Sequence, residues 1–143
     1  MIRIAKLTDY AMLILTILGK DLDISYNASQ IAELSGINHP TVAKLLKQLL
    51  NAGILTSSRG STGGYKLAFA PESLSVAKII QILEGPLAIT ECNISKDLCA
   101  IATQCTIQPP WVQINKVIHS ALENYKLSDL IMPNPGVPNV GAN

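Results

Sequence analysis

Three cysteines, Cys92, Cys99 and Cys105, fall in one stretch of the 143-residue chain, separated by six and by five residues. Those gaps are too long for a zinc-knuckle turn and do not repeat at the period of a helix face. Three thiols cannot all pair with one another, and a reducing compartment would leave them free to bind metal, so a disulfide scaffold is disfavoured. Soft thiolates gathered by a flexible loop suit an iron–sulfur cluster. Spacing alone equally admits a cysteine-rich zinc site or three reduced, unligated thiols. As nucleophiles they lack a recognisable base partner, the chain holds only two histidines, and no Gly-rich nucleotide loop with its lysine occurs. An enzyme is therefore disfavoured.

A second group of residues carries charge rather than metal chemistry. The net charge is only +1, but between Leu34 and Pro71 lie four cations, Lys44, Lys47, Arg59 and Lys66, and no acid, leaving seven bases and ten acids elsewhere. A basic segment within an otherwise acidic chain is the electrostatic footprint of a surface that meets phosphates. A solvated face is the bland alternative.

The elements that must position these groups follow from apolar periodicity and turn chemistry. A core helix is predicted from Thr8 to Gly19, apolar nearly all round, with Thr8 or Asp9 as its cap. A short second helix begins after Asn27-Ala28-Ser29, with Ser29 spaced to cap it, and closes at Gly36. The third runs from Thr41 to Leu50 with Pro40 in its first turn; Val42, Leu45, Leu46 and Leu49 face inward, and Thr41, Lys44, Lys47 and Gln48 face out. Two helices joined at a short glycine turn, the second basic on its outer side, form the helix-turn-helix arrangement that lays a helix in the major groove.

Strand-like runs at 54–58 and 65–69 flank Arg59-Gly60-Ser61-Thr62-Gly63-Gly64, a glycine-rich turn that makes a hairpin with a basic tip, a wing. Thr41, Lys44, Lys47 and Gln48 are the candidates for base or phosphate contacts on helix three; Arg59, Ser61, Thr62 and Lys66 are those of the wing. Ser29 and Gln30 can present a hydroxyl and amides to a phosphate, and His39 is either a backbone contact or a turn histidine.

Leu74 to Gly85 reads as a fourth helix capped by Ser73 or Ser75. From 86 to 110 no period persists, and a loop of that length is usually functional or ordered by something else. A last helix recurs at Trp111, Ile114, Ile118, Ala121, Leu122 and Tyr125, a stripe long enough to need a partner, either its own copy in a two-fold dimer or its own domain. The fold class is thus mainly α with a small β-hairpin. A winged helix-turn-helix domain spans 1–85, a cysteine loop 86–110, a dimerisation helix 111–131 and a flexible tail 132–143.

Composition sets outer limits. At 48% hydrophobic and 15% charged, the chain has the aliphatic material for one core and no signature of disorder. The longest apolar run, Ala11 to Leu18, is far short of the roughly 20 residues of a membrane span. No signal-peptide cleavage pattern follows it, so no membrane association and a cytoplasmic location are expected.

Taken in order, Leu7-Thr8-Asp9-Tyr10-Ala11, Ile31-Ala32, Arg59 to Leu67, Leu83-Glu84-Gly85, the cysteine triplet and Trp111 six positions after it form a pattern. In these the chain resembles the IscR/NsrR/RirA-type winged-helix regulators, and among them the regulators of SUF iron–sulfur cluster assembly, over nearly all of its length to about Met132. The resemblance implies a homodimer with two DNA-binding heads, a long dimerisation helix, an iron–sulfur cluster on Cys92, Cys99 and Cys105, and repression or activation of genes for cluster assembly, iron supply or nitrosative stress, with a repressor the expected form. IscR-like members carry a histidine three residues after the last cysteine, where this chain has Gln108. NsrR-like members carry an aspartate in the opening motif that reaches the other subunit's cluster, which makes Asp9, from the partner subunit, the leading fourth ligand. Three ligands do not set the nuclearity, 2Fe-2S or 4Fe-4S. The alternative is a cluster-free winged-helix regulator that responds to a protein partner or a small ligand.

Overall fold

The apolar run that opens the chain becomes its central helix. In the computed structural model, which describes residues 3–131, helix α1 (Lys6–Gly19) buries Thr8, Ala11, Met12, Ile14, Leu15, Ile17 and Leu18. Around it pack α2 (Ala28–Ser35), α3 (His39–Asn51), α4 (Val76–Glu84) and α7 (Leu127–Ile131). The mainly helical architecture with one small hairpin is the expected one.

Three helix starts differ in detail from expectation, because tertiary partners or earlier side chains do the capping. α1 starts at Lys6 with Ala5 as its N-cap and no side-chain cap of its own, so neither Thr8 nor Asp9 caps it. The N–H of Ala5 is instead taken by Glu84 Oε1 at 2.9 Å, an acid from the end of α4 placed at the positive end of α1. In α2 the cap is Asn27, not Ser29: Asn27 Oδ1 accepts from Gln30 N and Gln30 Oε1 accepts from Asn27 N, both at 2.9 Å, a reciprocal capping box. α3 begins two residues early because Asn38 Oδ1 accepts from Thr41 N at 3.0 Å, with Pro40 in the first turn as expected.

Strands β1 (Leu55–Ser58) and β2 (Gly64–Leu67) pair antiparallel, with Leu55 opposite Leu67 and Ser58 opposite Gly64. A third segment joins the wing at Tyr26, whose N–H and C=O exchange hydrogen bonds with Tyr65 at 3.2 and 2.8 Å. This approach requires glycine at 64, since a Cβ there would lie 2.7 Å from the carbonyl carbon and oxygen of Tyr26.

A short 3-10 turn, Pro71–Ser73, leads to α4, capped by Ser75 as one of the two expected serines. The expected irregular stretch 86–110 contains α5 (Glu91–Ile94) and a 3-10 turn at Lys96–Leu98, followed by turns up to α6 (Gln108–Asn124). The helix expected over 111–131 is broken: α6 ends at Asn124 and Tyr125 is extended. Val76 N then donates to Tyr125 O at 2.9 Å and Leu127 N to Leu74 O at 2.8 Å, a strand-like clasp that turns the chain back. α7 packs on α1 with Leu127 fully buried, so residues 127–131 belong to the winged-helix core rather than to a projecting helix. The tail expected over 132–143 lies outside the described residues.

Candidate nucleic-acid interface and cysteine loop

Helix α3 divides cleanly. Val42, Leu45, Leu46 and Leu49 are buried, and Lys44, Lys47 and Gln48 are exposed along the opposite side with His39 at the start. Thr41 is half-buried and its N–H is committed to the Asn38 cap, although its side chain lies on the outer margin. Among the described residues Lys44, Lys47 and Arg59 enter no ion pair, so their charge is available to phosphates. At the wing tip Arg59, Ser61 and Thr62 are exposed on a turn closed by the Gly63 N–H donating to Gly60 O at 3.0 Å, with Gly60 at φ 112°.

Two expected contacts are partly spent on the protein itself. Lys66 is half-buried and its ammonium donates to Asp23 O at 2.6 Å, tying the wing to the loop before α2. Gln30 is exposed at the start of α2, but its amide N–H and side-chain oxygen are both used in the capping box, which leaves the neighbouring exposed Ser29 as the hydroxyl at that helix end.

Cys92 sits in α5, Cys99 follows the Lys96–Leu98 turn and Cys105 precedes α6; all three are free thiols and half-buried. The donor chemistry suits a soft metal or a cluster. Among the described residues, however, no group of three or more His, Cys, Asp or Glu side chains is drawn together to hold a metal ion. Asp9, exposed in the first turn of α1, does not join the thiols within the protomer.

The loop is nevertheless anchored to α6. Asn115 Oδ1 accepts from Ile89 N at 3.0 Å and its Nδ2 donates to Leu87 O at 2.9 Å. Asn93 Nδ2 donates to Thr90 Oγ1 at 2.8 Å, and Thr90 Oγ1 lies 3.2 Å from Cys92 Sγ. Periodicity did not mark Asn115 or Glu84, whose partners are far away in sequence, nor Asn93, which besides Thr90 reaches Trp111 O eighteen residues on; the one available signal was a polar Asn115 among the apolar positions of α6. An open groove of about 600 Å³ runs beside these contacts, lined by Ile80, Glu84, Leu87, Trp111, Ile118 and Leu122 among others.

Among the described residues α6 packs one side on α4 and α5, and another side stays uncovered. Trp111, Ile114, Val117 and Tyr125 are 36%, 44%, 69% and 39% exposed, and Ile107 just before the helix is 58% exposed. Ile107, Trp111, Ile114, Ile118, Ala121 and Tyr125 alternate by four and three, the spacing of a helix–helix seam. No helix among the described residues is long and apolar enough to cross a membrane.

The chain is similar to known regulators along most of its length. It is 31% identical over 117 residues to protein rrf2 of Nitratidesulfovibrio vulgaris, covering 77% of this chain and 78% of that protein. It is 28% identical over 120 residues to the HTH-type transcriptional regulator IscR of Aliivibrio salmonicida, covering 79% and 71%. Among solved structures it is similar to CymR (YrzC), described as the global cysteine regulator of B. subtilis, with TM-score 0.74 and 27% identity over 92% of this chain and 97% of that one. It is also similar to T. potens IscR, with TM-score 0.71 and 25% identity over 91% and 86%. Residues 4–133 match the family model Rrf2, described as an iron-dependent transcriptional regulator, and the chain belongs to that family of winged-helix transcriptional regulators.

Proposed function

We propose that this protein is a homodimeric repressor that binds an operator through α3 and the wing, and whose affinity is set by an iron–sulfur cluster on Cys92, Cys99 and Cys105. The observation that carries the DNA half is the exposed line of Lys44, Lys47 and Gln48 on α3 together with Arg59 at the wing tip, and the three cations enter no ion pair among the described residues. Lys44, Gln48 and Thr41 face the base edges and nearby phosphates; Arg59, Ser61 and Thr62 follow the adjoining backbone or minor groove; Lys47, Ser29, Gln30, His39 and Lys66 add backbone contacts. The uncovered seam of α6 supports pairing with a second copy, which fixes the distance between the two α3 helices and hence the half-site spacing.

The three thiolates supply the cluster's protein ligands, with Asp9 of the partner subunit as the fourth. When bound, such a group supplies a redox- and nitric-oxide-sensitive centre. The thiols must close up to hold it, and that closure would order the loop, which is tied to α6 through Asn115 and Asn93. Different contacts in the two states are what a change in DNA affinity requires. Regulated genes for iron–sulfur assembly, iron supply or nitrosative stress, in the cytoplasm, follow from the resemblance to IscR-type regulators.

Anaerobic purification with visible absorbance, iron and sulfide analysis, and operator affinity before and after exposure to air tests this. A coloured protein with iron and sulfide, whose affinity shifts on oxidation and is lost from control when all three cysteines are alanine, is the expected result. A colourless, iron-free protein defeats the cluster.

A second reading has its own support in the ungathered thiols and in the likeness to CymR. It is a cluster-free regulator of the same DNA-binding form, responding to a protein partner or a small ligand through the region after Gly85. Operator affinity that ignores the cysteine-to-alanine changes under all redox conditions favours it.

A further inference from the structure

Asn115 lies half-buried on the side of α6 that faces the cysteine loop, among the apolar side chains Trp111, Ile118 and Leu122. Its amide spans two backbone groups, the N–H of Ile89 at 3.0 Å and the C=O of Leu87 at 2.9 Å. Residues two apart in an extended segment turn an N–H and a C=O toward the same edge, so one planar amide can satisfy both as a neighbouring strand would. The segment needs such a partner: residues 85–90 belong to no helix or strand, and half-buried backbone groups without a ladder must find hydrogen bonds elsewhere.

Asparagine is a poor helix former, since its side chain competes with the backbone, so its position inside α6 calls for a tertiary reason. One turn earlier on the same helix a second clip acts in parallel. Asn93 Nδ2 donates to the carbonyl of Trp111 at 3.4 Å and to Thr90 Oγ1 at 2.8 Å, and that hydroxyl lies 3.2 Å from Cys92 Sγ. Cys92 is thus reached from α6 by way of the 87–90 segment and by way of Asn93.

We propose that Asn115 is the positioning residue of the cysteine loop, holding the segment that enters Cys92 against α6 so that a chemical change at the thiols moves α6. The holding role stands on the hydrogen bonds alone; the transmission to α6 rests on the cysteine-controlled regulator proposed above.

The test uses the full-length, metal-free protein under reducing conditions. Asn115→Leu keeps the side chain's branched outline and removes both hydrogen bonds. Amide exchange at Ile89 is expected to rise about tenfold or more, and modification of Cys92 by N-ethylmaleimide about fivefold, because both report local opening of this segment. Cys105, which neither clip reaches, should change by less than about twofold. Asn115→Asp retains the acceptor for Ile89 N and should keep that amide protected, a rescue that general destabilisation would not produce. Asn115→Ala provides the same readouts if the leucine variant does not fold. Unchanged Ile89 exchange and unchanged Cys92 modification overturn the proposal.

The transmission is read on a DNA duplex selected by the protein from a random pool, before and after N-ethylmaleimide treatment. The wild-type protein should lose or gain affinity on modification, and Asn115→Leu should reduce that difference to less than about twofold, as expected when the coupling between two sites is lost. A variant that keeps the full difference overturns the transmission. A wild-type protein with no difference defeats thiol control itself, and the holding role is then decided by exchange and modification alone.

Discussion

The hydroxyl of Ser75, buried at the start of α4, donates to Glu123 Oε2 near the end of α6 at 2.8 Å while accepting the N–H of Lys78 at 3.1 Å. One side chain therefore caps α4 and fixes the end of α6 to it, and the clasp between residues 74–76 and 125–127 completes the joint. This joint sets the direction in which α6 leaves the DNA-binding head. In a dimer built on α6 it would also set where the second recognition helix falls.

Ser75→Ala removes a cap and the tie to Glu123, and is expected to destabilise the fold by roughly 1–2 kcal/mol. Thermal denaturation should show a drop of several degrees. Glu123→Gln, which keeps an acceptor, should cost markedly less.

Leu127→Ala tests the turn-back of the chain. Leu127 is fully buried, and emptying its site should destabilise by about 2–5 kcal/mol in chemical denaturation. An effect within the range of a surface substitution would place residues 127–131 outside the core.

Lys44→Ala and Arg59→Ala test the DNA face. Both side chains are exposed, so melting temperature should hold while operator binding weakens and the slope of log affinity against log salt falls by about one for each phosphate no longer neutralised. Unaltered binding in both variants would count against α3 and the wing as the groove-facing elements.

Gly64→Ala puts a methyl group against the backbone of Tyr26 and should prise the Tyr26 segment from the wing. A loss of roughly 1–3 kcal/mol is expected from the forced overlap, together with weaker operator binding. The readouts are a melting curve and a binding titration on the same preparation.

Ile114→Glu places a charge in the middle of the exposed 107/111/114/118/121/125 stripe of α6. If α6 is the dimer seam, sedimentation should show monomers with helical content retained, and affinity for a two-half-site operator should fall on the order of 10²-fold as the second head is lost. A dimer that persists would move the interface elsewhere.

Helices α1, α3 and α4, the hairpin and the basic outer face of α3 were all legible in the sequence, because apolar residues at helical spacing and glycine-rich turns are local signals whose meaning survives folding. Val42, Leu45, Leu46 and Leu49 point inward for that reason, and Lys44, Lys47 and Gln48 point out. The exact helix starts were less legible. Asn27 and Asn38 outcompeted the expected positions because each asparagine reaches an amide three residues on, whereas α1 borrows Glu84 from 79 positions away.

Only the tertiary structure decided how distant parts meet. The break after Asn124 is invisible to periodicity, since the apolar stripe continues through it; backbone pairing with residues 74–76 ends the helix and sends Leu127 into the core. The tether of Lys66 to Asp23, the bridge from Tyr26 to Tyr65 and the clip of Asn115 on residues 87 and 89 likewise depend on contacts between segments far apart in the chain. The sequence by itself determined the elements, their inward faces and the kind of chemistry that thiols and exposed cations can do. Which residues hold those elements together depended on long-range hydrogen bonds, which no local pattern encodes.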